Sequence, residues 1–503
     1  MLTMLGSPRR CCDGVTRRET LRAGALTALG GFGLPQFLAA EETGHVAPAK
    51  AKNVILLFLL GGAATQDIWD LKPNGPAESR GEFKPIPTSA SGVQICEHLP
   101  KTAQWMHKVA IVRSVNHKAG CHNCIPLYSG YEVPQPDQKA RDGDPPSMGA
   151  ICEYLRTLSG SRTLSAEEQR AVASFHRLES GDPARDVPAY AYLPNWLGWG
   201  QAIRRAGPYG GYLGKRLDAL TTECEPYWDK IGHQPSVGRP QIVRGMPVLP
   251  SSSLPDGMTV DRLHHRRSLL SQFDDHLRDF DTTAAANING YGRSQKRAFD
   301  LLTSSGLRSC FDLSKDDPRV IDRYGRTLFG HSTLMARKLI ETGVRFVNVT
   351  WDLYWDRIQL DYDAWDTHTN NFAILRENKL PGFDQTFTAL LEDLEGRGLL
   401  DETLVVVMSE MGRSPRVNGA AGRDHWTYCY SAVLAGAGIR AGTVYGESDA
   451  QAAFVKSNPV STADLCSTIY SILGIDPELR IFDRTNRPIE IGQGGRAIRE
   501  IMA

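Results

Sequence analysis

The sequence predicts an α/β fold, in which helices cover both faces of a mostly parallel central sheet. Two observations carry this prediction. An unbroken apolar run at residues 53–60, closed by Gly61 and Gly62, is typical of a strand that is buried on both faces. Further apolar runs then alternate with amphipathic helical segments, and such alternation builds a parallel sheet between two layers of helices.

The remaining elements follow in chain order. Apolar runs of strand length occur at residues 109–114, 344–349, 403–408 and 431–435. Apolar residues recur at helical spacing at residues 323–342, 381–397 and 463–473. We therefore expect residues 51–503 to form a single domain, with surface insertions near 131–147 and 177–262 where proline, glycine and charged residues are frequent.

The N-terminal residues carry the features of an export signal. Arg17 and Arg18 precede a weakly apolar stretch at residues 23–34, and small residues follow it. This arrangement predicts a twin-arginine signal peptide and a short linker at residues 1–50. The mature protein would be carried in folded form by the twin-arginine translocase, and it would be periplasmic or extracellular.

The composition is that of a globular protein, and it excludes several kinds of partner. Of 503 residues, 41% are hydrophobic and 23% are charged. Lys plus Arg and Asp plus Glu both number 57, so no attraction to nucleic acid or to an anionic membrane is expected. No apolar run in the mature chain approaches the roughly 20 residues of a membrane span, so no integral membrane segment is expected.

Metal-type side chains follow the ends of several predicted strands. They form four groups: Asp67 with Asp70, His117 with His122, Asp366 with His368, and Glu410 with Arg413, Arg423 and His425. Taken singly, an acidic residue at a strand end is often a cap or turn residue, and a loop histidine is often only hydrogen-bonded. Together the groups should meet at one edge, because open α/β sheets bind ligands at the carboxyl ends of their strands.

This edge is predicted to hold a divalent cation. Mixed carboxylate and imidazole ligands suit Zn, Mn, Ca or Mg. The predicted ligands are Asp366, His368, Glu410, His425, Asp67 and Asp70. We expect the heads of Asp366, His368 and His425 to meet within about 5 Å, because each ligand atom lies roughly 2 Å from a shared cation. Glu410 should lie beside them.

Three further side chains are predicted to act on the substrate. Arg413 and Arg423 carry forked donors that could grip a sulfate or a phosphate in bidentate fashion. His122 is a candidate catalytic residue, and either His117 or His122 should lie on the rim of the pocket.

Several motifs resemble those of one family. They lie at residues 67–73, 81–86, 365–372, 410–416 and 422–426, the last of which reads Gly-Arg-Asp-His-Trp. They resemble the exported, sulfatase-like family called domain of unknown function fifteen-oh-one, over nearly all of the mature chain. That family resembles the alkaline phosphatase and sulfatase superfamily, whose members hydrolyse phosphate and sulfate esters at a metal site on a central sheet.

The resemblance can be carried over one residue at a time. Asp366 with His368 resembles a metal-binding pair of the superfamily, and His425 matches a later single histidine. Ser409-Glu410-Met411-Gly412 aligns with a Ser-Asp-His-Gly motif, in which Met411 replaces the histidine ligand. The resemblance therefore implies one metal position and a damaged second one.

The resemblance does not supply a nucleophile. Sulfatases carry Cys-x-Pro-x-Arg, and residues 124–128 keep the cysteine and the proline but have Tyr128 in place of the arginine. Thr65, Ser129 and His122 are other conceivable nucleophiles.

Three functions stand as hypotheses. The first is an exported metal-dependent hydrolase of sulfate or phosphate esters, acting on a small-molecule or polysaccharide substrate. The second is a non-catalytic relative that binds a cation or a glycan. The third is a redox role for Cys121 and Cys124, although their polar loop favours a structural disulfide or two free thiols.

Overall fold

A computed structural model describes most of the chain. The described residues are 49–134, 138–158, 168–169, 171–172, 187–195, 204–225, 245–249, 304–351 and 364–503. Nearly all of the predicted signal peptide lies outside these ranges, as does much of the predicted insertion at 177–262. Within them, none of the helices has the length and the hydropathy needed to cross a bilayer.

A sheet of nine strands lies at the centre of the described residues. In chain order the strands are β1 Asn53–Phe58, β2 Val109–Asn116, β3 Tyr190–Leu193, β4 Leu220–Thr221, β5 Phe346–Thr350, β6 Thr403–Met408, β7 Tyr430–Gly436, β8 Val444–Tyr445 and β9 Val460–Ser461. Their spatial order is β8-β2-β7-β6-β1-β5-β3-β4. β9 pairs with the last two residues of β2, after the residues of β2 that pair with β8. The apolar run at residues 53–60 thus contains the central strand β1, which lies between β5 and β6.

The sheet is parallel except at one strand. β1 pairs in parallel with β5 and β6, as β3 does with β4 and β5. β7 runs antiparallel to both of its neighbours, β6 and β2. Because β7 is reversed, its first residues lie at the edge where the parallel strands end. The predicted fold class, a mostly parallel sheet in an α/β protein, is confirmed.

Both faces of the sheet are buried, as the apolar run predicts. Along β1, Ile55 and Leu57 join the core on one face, while Leu56 and Phe58 join the core on the other. All of these side chains are fully buried. Each contributes about 1.5–3 kcal/mol relative to an exposed side chain, so the central strands anchor the two layers.

Helices form a layer on each face. Leu328–Glu341 and Leu380–Gly396 contribute to the core on the face of Ile55, and Met148–Leu158 and Thr462–Ile472 contribute to the other. Shorter helices are Ala77–Arg80, Pro100–Trp105, Ile125–Ser129, Ser305–Cys310, Pro318–Tyr324 and Asn371–Ile374, and a π-helical turn at Leu375–Lys379 joins the last of these to Leu380–Gly396.

One predicted helix is divided in two. The pattern at residues 323–342 contains the end of Pro318–Tyr324 and the whole of Leu328–Glu341. Between them Gly325 has a φ of +89°, which ends the first helix because side chains other than glycine rarely adopt it. The side chain of Thr327 then accepts a hydrogen bond from the Gly330 amide and begins the second helix.

Small two-stranded units decorate the loops. They are Pro85–Pro87 with Gln94–Cys96, Glu223–Glu225 with Met246–Val248, Gly412–Val417 with Arg423–Trp426, Glu447–Ser448 with Val455–Ser457, and Arg480–Phe482 with Pro488–Glu490. The third, called here the site hairpin, connects the end of β6 to the start of β7. It therefore lies at the same edge as the carboxyl ends of β1, β2 and β6.

Candidate metal centre

Three side chains from three separate segments between the strands of the central sheet bring ligand atoms together at this edge. In the described residues, ligand atoms of His122, Asp366 and His425 all lie within 4.8 Å of one another. His425 Nε2 is 3.2 Å from Asp366 Oδ1, and His122 Nε2 is 3.4 Å from Asp366 Oδ2. Ligands about 2.0–2.1 Å from a tetrahedral Zn²⁺ are separated by about 3.3 Å, so these donors have the spacing of a coordination shell.

His368 joins the same cluster from its more open side. Its Nε2 lies 2.8 Å from His425 Nε2 and 3.2 Å from Asp366 Oδ1. The structure thus brings together the heads of Asp366, His368 and His425 within the expected distance of about 5 Å. The side chain of His368 is 38% exposed, against 9% for His122, so solvent reaches the cluster past His368.

Carboxylates stand behind two of the imidazoles. Glu410 Oε1 lies 3.0 Å from Nδ1 of His122, and Asp424 Oδ1 lies 2.9 Å from Nδ1 of His368. In metal sites the ring nitrogen that faces away from the cation commonly donates to a carboxylate, which fixes the tautomer and orients the ring. The same arrangement here turns Nε2 of both histidines toward Asp366.

Glu410 therefore supports the ring of His122 from behind. Its own oxygens are not part of the group of ligand atoms formed by His122, Asp366 and His425. The side chain is fully buried, and the Gly61 amide donates to its Oε1 over 2.8 Å. Burial alone would raise the pKa of Glu410, but the hydrogen bond with His122 lowers it below its ordinary value. Gly61 has a φ of +106°, and a Cβ there would lie 2.7 Å from the backbone nitrogen of Asp366. The close approach of this backbone to Asp366 and Glu410 therefore requires glycine.

Local electrostatics favour the metal-binding forms of two cluster residues. Burial alone would raise the pKa of Asp366, but hydrogen bonds with His122 and His425 and the charge of Arg413 hold it far below its ordinary value. Burial lowers the pKa of His425, although its hydrogen bond with Asp366 opposes this. At neutral pH Asp366 is thus a carboxylate and His425 a neutral imidazole, the forms that coordinate a cation.

The pKa of His122 shifts in the opposite direction from that of His425. Burial would lower its pKa, but hydrogen bonds with Asp366 and Glu410 more than offset this and raise the pKa above its ordinary value. In the metal-free protein His122 therefore holds a proton between two carboxylates more tightly than a free histidine does. A cation bound at Nε2 would replace that proton, because only the neutral ring coordinates.

Arg413 is committed to the protein and not to a substrate. Its Nε donates to the Gly62 carbonyl over 2.7 Å, and its Nη1 donates to the Arg423 carbonyl over 3.1 Å. Its Nη2 donates to Asp366 and to the Gly61 carbonyl. The guanidinium is buried and already makes these bonds, so it orients Asp366. The sequence had instead predicted that Arg413 would bind a sulfate or a phosphate.

Arg423 and Asp67 form a second buried pair away from the cluster. Arg423 Nε and Nη2 each donate to one Asp67 oxygen over 2.7 Å, and Asn371 Nδ2 donates to Asp67 over 2.9 Å. Asp70 lies in a separate network, where Lys72 Nζ is 3.0 Å away and Ser448 donates to it. Neither Asp67 nor Asp70 contributes an oxygen to the group of ligand atoms of His122, Asp366 and His425, although both were predicted to be metal ligands.

Other predicted residues have structural partners. His117 is buried, its Nε2 donates to the Glu410 carbonyl over 2.7 Å, and burial lowers its pKa. The Thr65 hydroxyl accepts from the Ser431 amide, and the Ser129 hydroxyl donates to the Ile125 carbonyl over 2.7 Å. Both hydroxyls are buried in the fold, which makes them poor nucleophiles.

The two cysteines of the redox hypothesis differ in exposure. Cys121 is exposed and Cys124 is buried, and neither is part of a disulfide. Burial raises the pKa of Cys121, which keeps its thiol protonated at neutral pH. The loop that holds both cysteines serves to place His122, which has a φ of 55°.

Sequence reasoning missed Asp424 and the supporting role of Glu410. Asp424 stands between Arg423 and His425 in a strand of the site hairpin, where alternation places it on the opposite face from both neighbours. It reaches the cluster only because His368 comes from another loop to meet it. A carboxylate adjacent to a predicted ligand is the one signal that could have pointed to it.

Comparisons with known proteins identify one family. Residues 51–502 match the family described as "Protein of unknown function (DUF1501)". No curated protein sequence matches the chain significantly.

Three solved structures illustrate a remote likeness. Ps i-CgsB in complex with k-i-k-neocarrahexaose is 10% identical with a TM-score of 0.36, covering 84% of this chain and 72% of that one. The phosphonate monoester hydrolase SpPMH from Silicibacter pomeroyi is 11% identical with a TM-score of 0.33, covering 89% and 76%. The PsFucS1 sulfatase from Pseudoalteromonas sp. is 15% identical with a TM-score of 0.32, covering 88% and 72%.

Proposed function

The chain belongs to the family described as "Protein of unknown function (DUF1501)", and we propose that it is a metal-dependent hydrolase of sulfate or phosphate esters. One observation carries the proposal. The donor atoms of His122, Asp366 and His425 have the spacing of ligands around one cation, and Glu410 supports His122 from behind. A site with three protein ligands and an open side is typical of catalytic metal centres.

The ligand chemistry narrows the choice of cation. Two or three imidazole nitrogens with one carboxylate suit Zn²⁺ or Mn²⁺, whereas Ca²⁺ and Mg²⁺ prefer shells made of oxygen. We therefore propose that His122, Asp366 and His425 hold Zn²⁺ or Mn²⁺. Such a cation supplies the positive charge that polarises the ester and offsets the charge that develops on its oxygens.

His368 and Asp424 are proposed to move the proton. Asp424 accepts from Nδ1 of His368, which leaves the lone pair of Nε2 on the open side of the cluster. His368 takes a proton at Nε2 from the attacking water as the water oxygen bonds to the sulfur or phosphorus and the bond from that atom to the ester oxygen breaks. The leaving oxygen, on the opposite side, takes a proton from solvent and departs as the alcohol, and His368 returns its own proton to solvent. Water is the proposed nucleophile, because the hydroxyls of Thr65 and Ser129 are turned into the fold.

Export and substrate size belong to the same proposal. Arg17, Arg18 and the weakly apolar stretch after them support passage through the twin-arginine translocase to the periplasm or the outside. There the enzyme would meet small-molecule or polysaccharide esters.

The second candidate function is that of a non-catalytic protein that binds a cation or a glycan. The observation that supports it is that Arg413 and Arg423, the two arginines predicted to bind an anion, already make their hydrogen bonds within the protein.

Metal analysis combined with an ester panel tests the proposal. Mature protein is equilibrated with Zn²⁺, Mn²⁺ or Ca²⁺, freed of excess metal, and assayed for bound metal and for hydrolysis of aryl sulfates and phosphates. We expect one bound Zn²⁺ or Mn²⁺ and turnover, both lost in His425→Ala and kept in His107→Ala, where the histidine is exposed on another surface. Bound metal without turnover above the His425→Ala level would favour the non-catalytic candidate. Absence of bound metal would end the hydrolase proposal.

A further inference from the structure

A cluster of exposed aromatic rings lies on the site hairpin and on the loop beside it. Trp426, Tyr428 and Phe454 are in mutual contact, with ring centroids 5.0 to 5.8 Å apart. Tyr428 is 49% exposed and Phe454 is 52% exposed, which makes them two of the most exposed large apolar side chains in the described residues. We call these three residues the aromatic platform.

Hydrogen bonds hold the Trp426 ring and the loop that carries Phe454 before any partner arrives. Nε1 of Trp426 donates to the Ala453 carbonyl over 2.6 Å, which joins the two segments that carry the rings. The Asp449 carboxylate accepts from the amides of Gln451, Ala453 and Phe454, and so fixes the loop that presents Phe454 to solvent. A loop whose backbone is already fixed loses little freedom on binding, which favours a binding role over chance exposure.

The platform shares a face with the open side of the metal cluster. Side chains alternate along a strand, so Asp424 and Trp426 lie on one face of the site hairpin strand Arg423–Trp426, and His425 lies on the other. Asp424 is the residue that holds His368, and its side chain is 60% exposed. The Cα atoms of Asp424 and Trp426, two residues apart on the strand, are separated by about 7 Å, so the platform begins about one sugar width along the strand from the residue that contacts His368.

The openness of the platform selects among flat ligands. An aryl group gains most from a pocket that encloses most of its surface, whereas the side chains of Tyr428 and Phe454 are about half open to water. A sugar ring has an apolar face of C–H groups and a periphery of hydroxyls. It can stack on an open aromatic surface while its hydroxyls stay hydrated, which avoids the cost of burying polar groups without partners.

We propose that the aromatic platform binds a carbohydrate ring of the substrate and holds its ester group toward His368. The inference rests on the proposed function for the position of the ester, and it makes the substrate a sugar ester, most simply within a polysaccharide.

The test is retardation of the full mature protein in native gels that contain dextran, hydroxyethyl cellulose or chondroitin sulfate. The variant is Tyr428→Ala with Phe454→Ala, and the matched control is Phe482→Ala, another half-exposed phenylalanine at 54%. We expect retardation of the wild type by at least one of these polymers. The double variant should need roughly tenfold more polymer for the same retardation, because each lost ring removes a stacking contact, and Phe482→Ala should match the wild type.

Any of three results would overturn the inference. The first is a wild type that no polymer retards, and the second is a double variant that is retarded as strongly as the wild type. The third is a wild-type dimer in sedimentation that the double substitution dissociates, because the platform would then join two copies of the chain. Metal content is measured on the same samples, so that loss of the metal site and loss of the sugar surface are seen separately.

Discussion

Glu410 holds the imidazole of His122 by the nitrogen that faces away from the cluster, with Oε1 lying 3.0 Å from Nδ1. Replacing the carboxylate by an amide tests whether this contact serves a metal. We expect Glu410→Gln to weaken metal binding about 10- to 100-fold, because the carboxylate fixes the tautomer in which Nε2 is the ligand atom. Isothermal titration with Zn²⁺ gives the affinity. Glu447→Gln, which changes an exposed carboxylate, is the control, and equal affinity of the two variants would contradict the assignment.

His368→Ala separates proton transfer from metal binding. If His368 moves the proton, the variant should keep its metal while turnover falls by about 10²- to 10⁴-fold. Added imidazole should restore part of the rate, since the gap left by the side chain opens to solvent. Metal content and turnover are measured on one preparation. Loss of the metal instead would make His368 a fourth ligand and would leave the proton without a carrier.

Asp67→Asn distinguishes a structural acid from a metal ligand. Asp67 and Arg423 are both buried and meet through two hydrogen bonds of 2.7 Å, so the substitution leaves a buried guanidinium without its counter-charge. We expect the free energy of unfolding in urea to fall by about 3–5 kcal/mol, with metal content unchanged. Asp142→Asn, which removes an exposed ion pair with Arg484, should cost at most about 1 kcal/mol. If the Asp67→Asn variant folds but has lost its metal, Asp67 would have to be assigned as a metal ligand.

The stability contributed by Asp393 should depend on pH. Burial alone would raise its pKa, but a hydrogen bond with Arg397 and the charges of Arg337 and Arg397 lower it below its ordinary value. A carboxyl with a lowered pKa stabilises the fold above its unfolded pKa of about 3.9, and this contribution disappears as the pH falls through the folded value.

The measurement is urea unfolding of wild type and Asp393→Asn from pH 7 to pH 3. The variant should be less stable at pH 7, and the difference should shrink as the pH drops below about 4. Asp401→Asn, at an exposed position, should show a small difference at every pH. A difference for Asp393→Asn that stays constant with pH would show that the ion pair is not its source.

The leader prediction concerns Arg17 and Arg18. Lysine keeps the charge of arginine but not its forked geometry, so replacing both by lysine should leave the precursor inside the cell. Immunoblots of cytoplasmic and periplasmic fractions measure this. A variant in which two lysines that lie outside the leader, Lys52 and Lys72, are changed to arginine is the control. Normal processing of the double-lysine precursor would show that another export route is used.

Local sequence predicts the strands closely and the contacts of the site only in part. Thr403–Met408 appears with the predicted bounds, because an unbroken apolar run can be buried in only a few ways. The meeting of Asp366, His368 and His425 follows from the shared edge of the sheet. The partner of each charged group does not, because the pairing of Arg423 with Asp67 or of His368 with Asp424 depends on how distant loops fold over the edge.

The position of β1 sets the order in which the molecule can be completed. This strand leaves the ribosome early, yet its partners β5 and β6 are synthesised hundreds of residues later. At about 5–20 residues per second, the most central strand waits roughly tens of seconds for both neighbours. An apolar segment near the start of the chain therefore does not have both partners until residue 408 has been made, and slowing translation anywhere between β1 and β6 should lengthen that exposure, whereas slowing it after residue 408 should not.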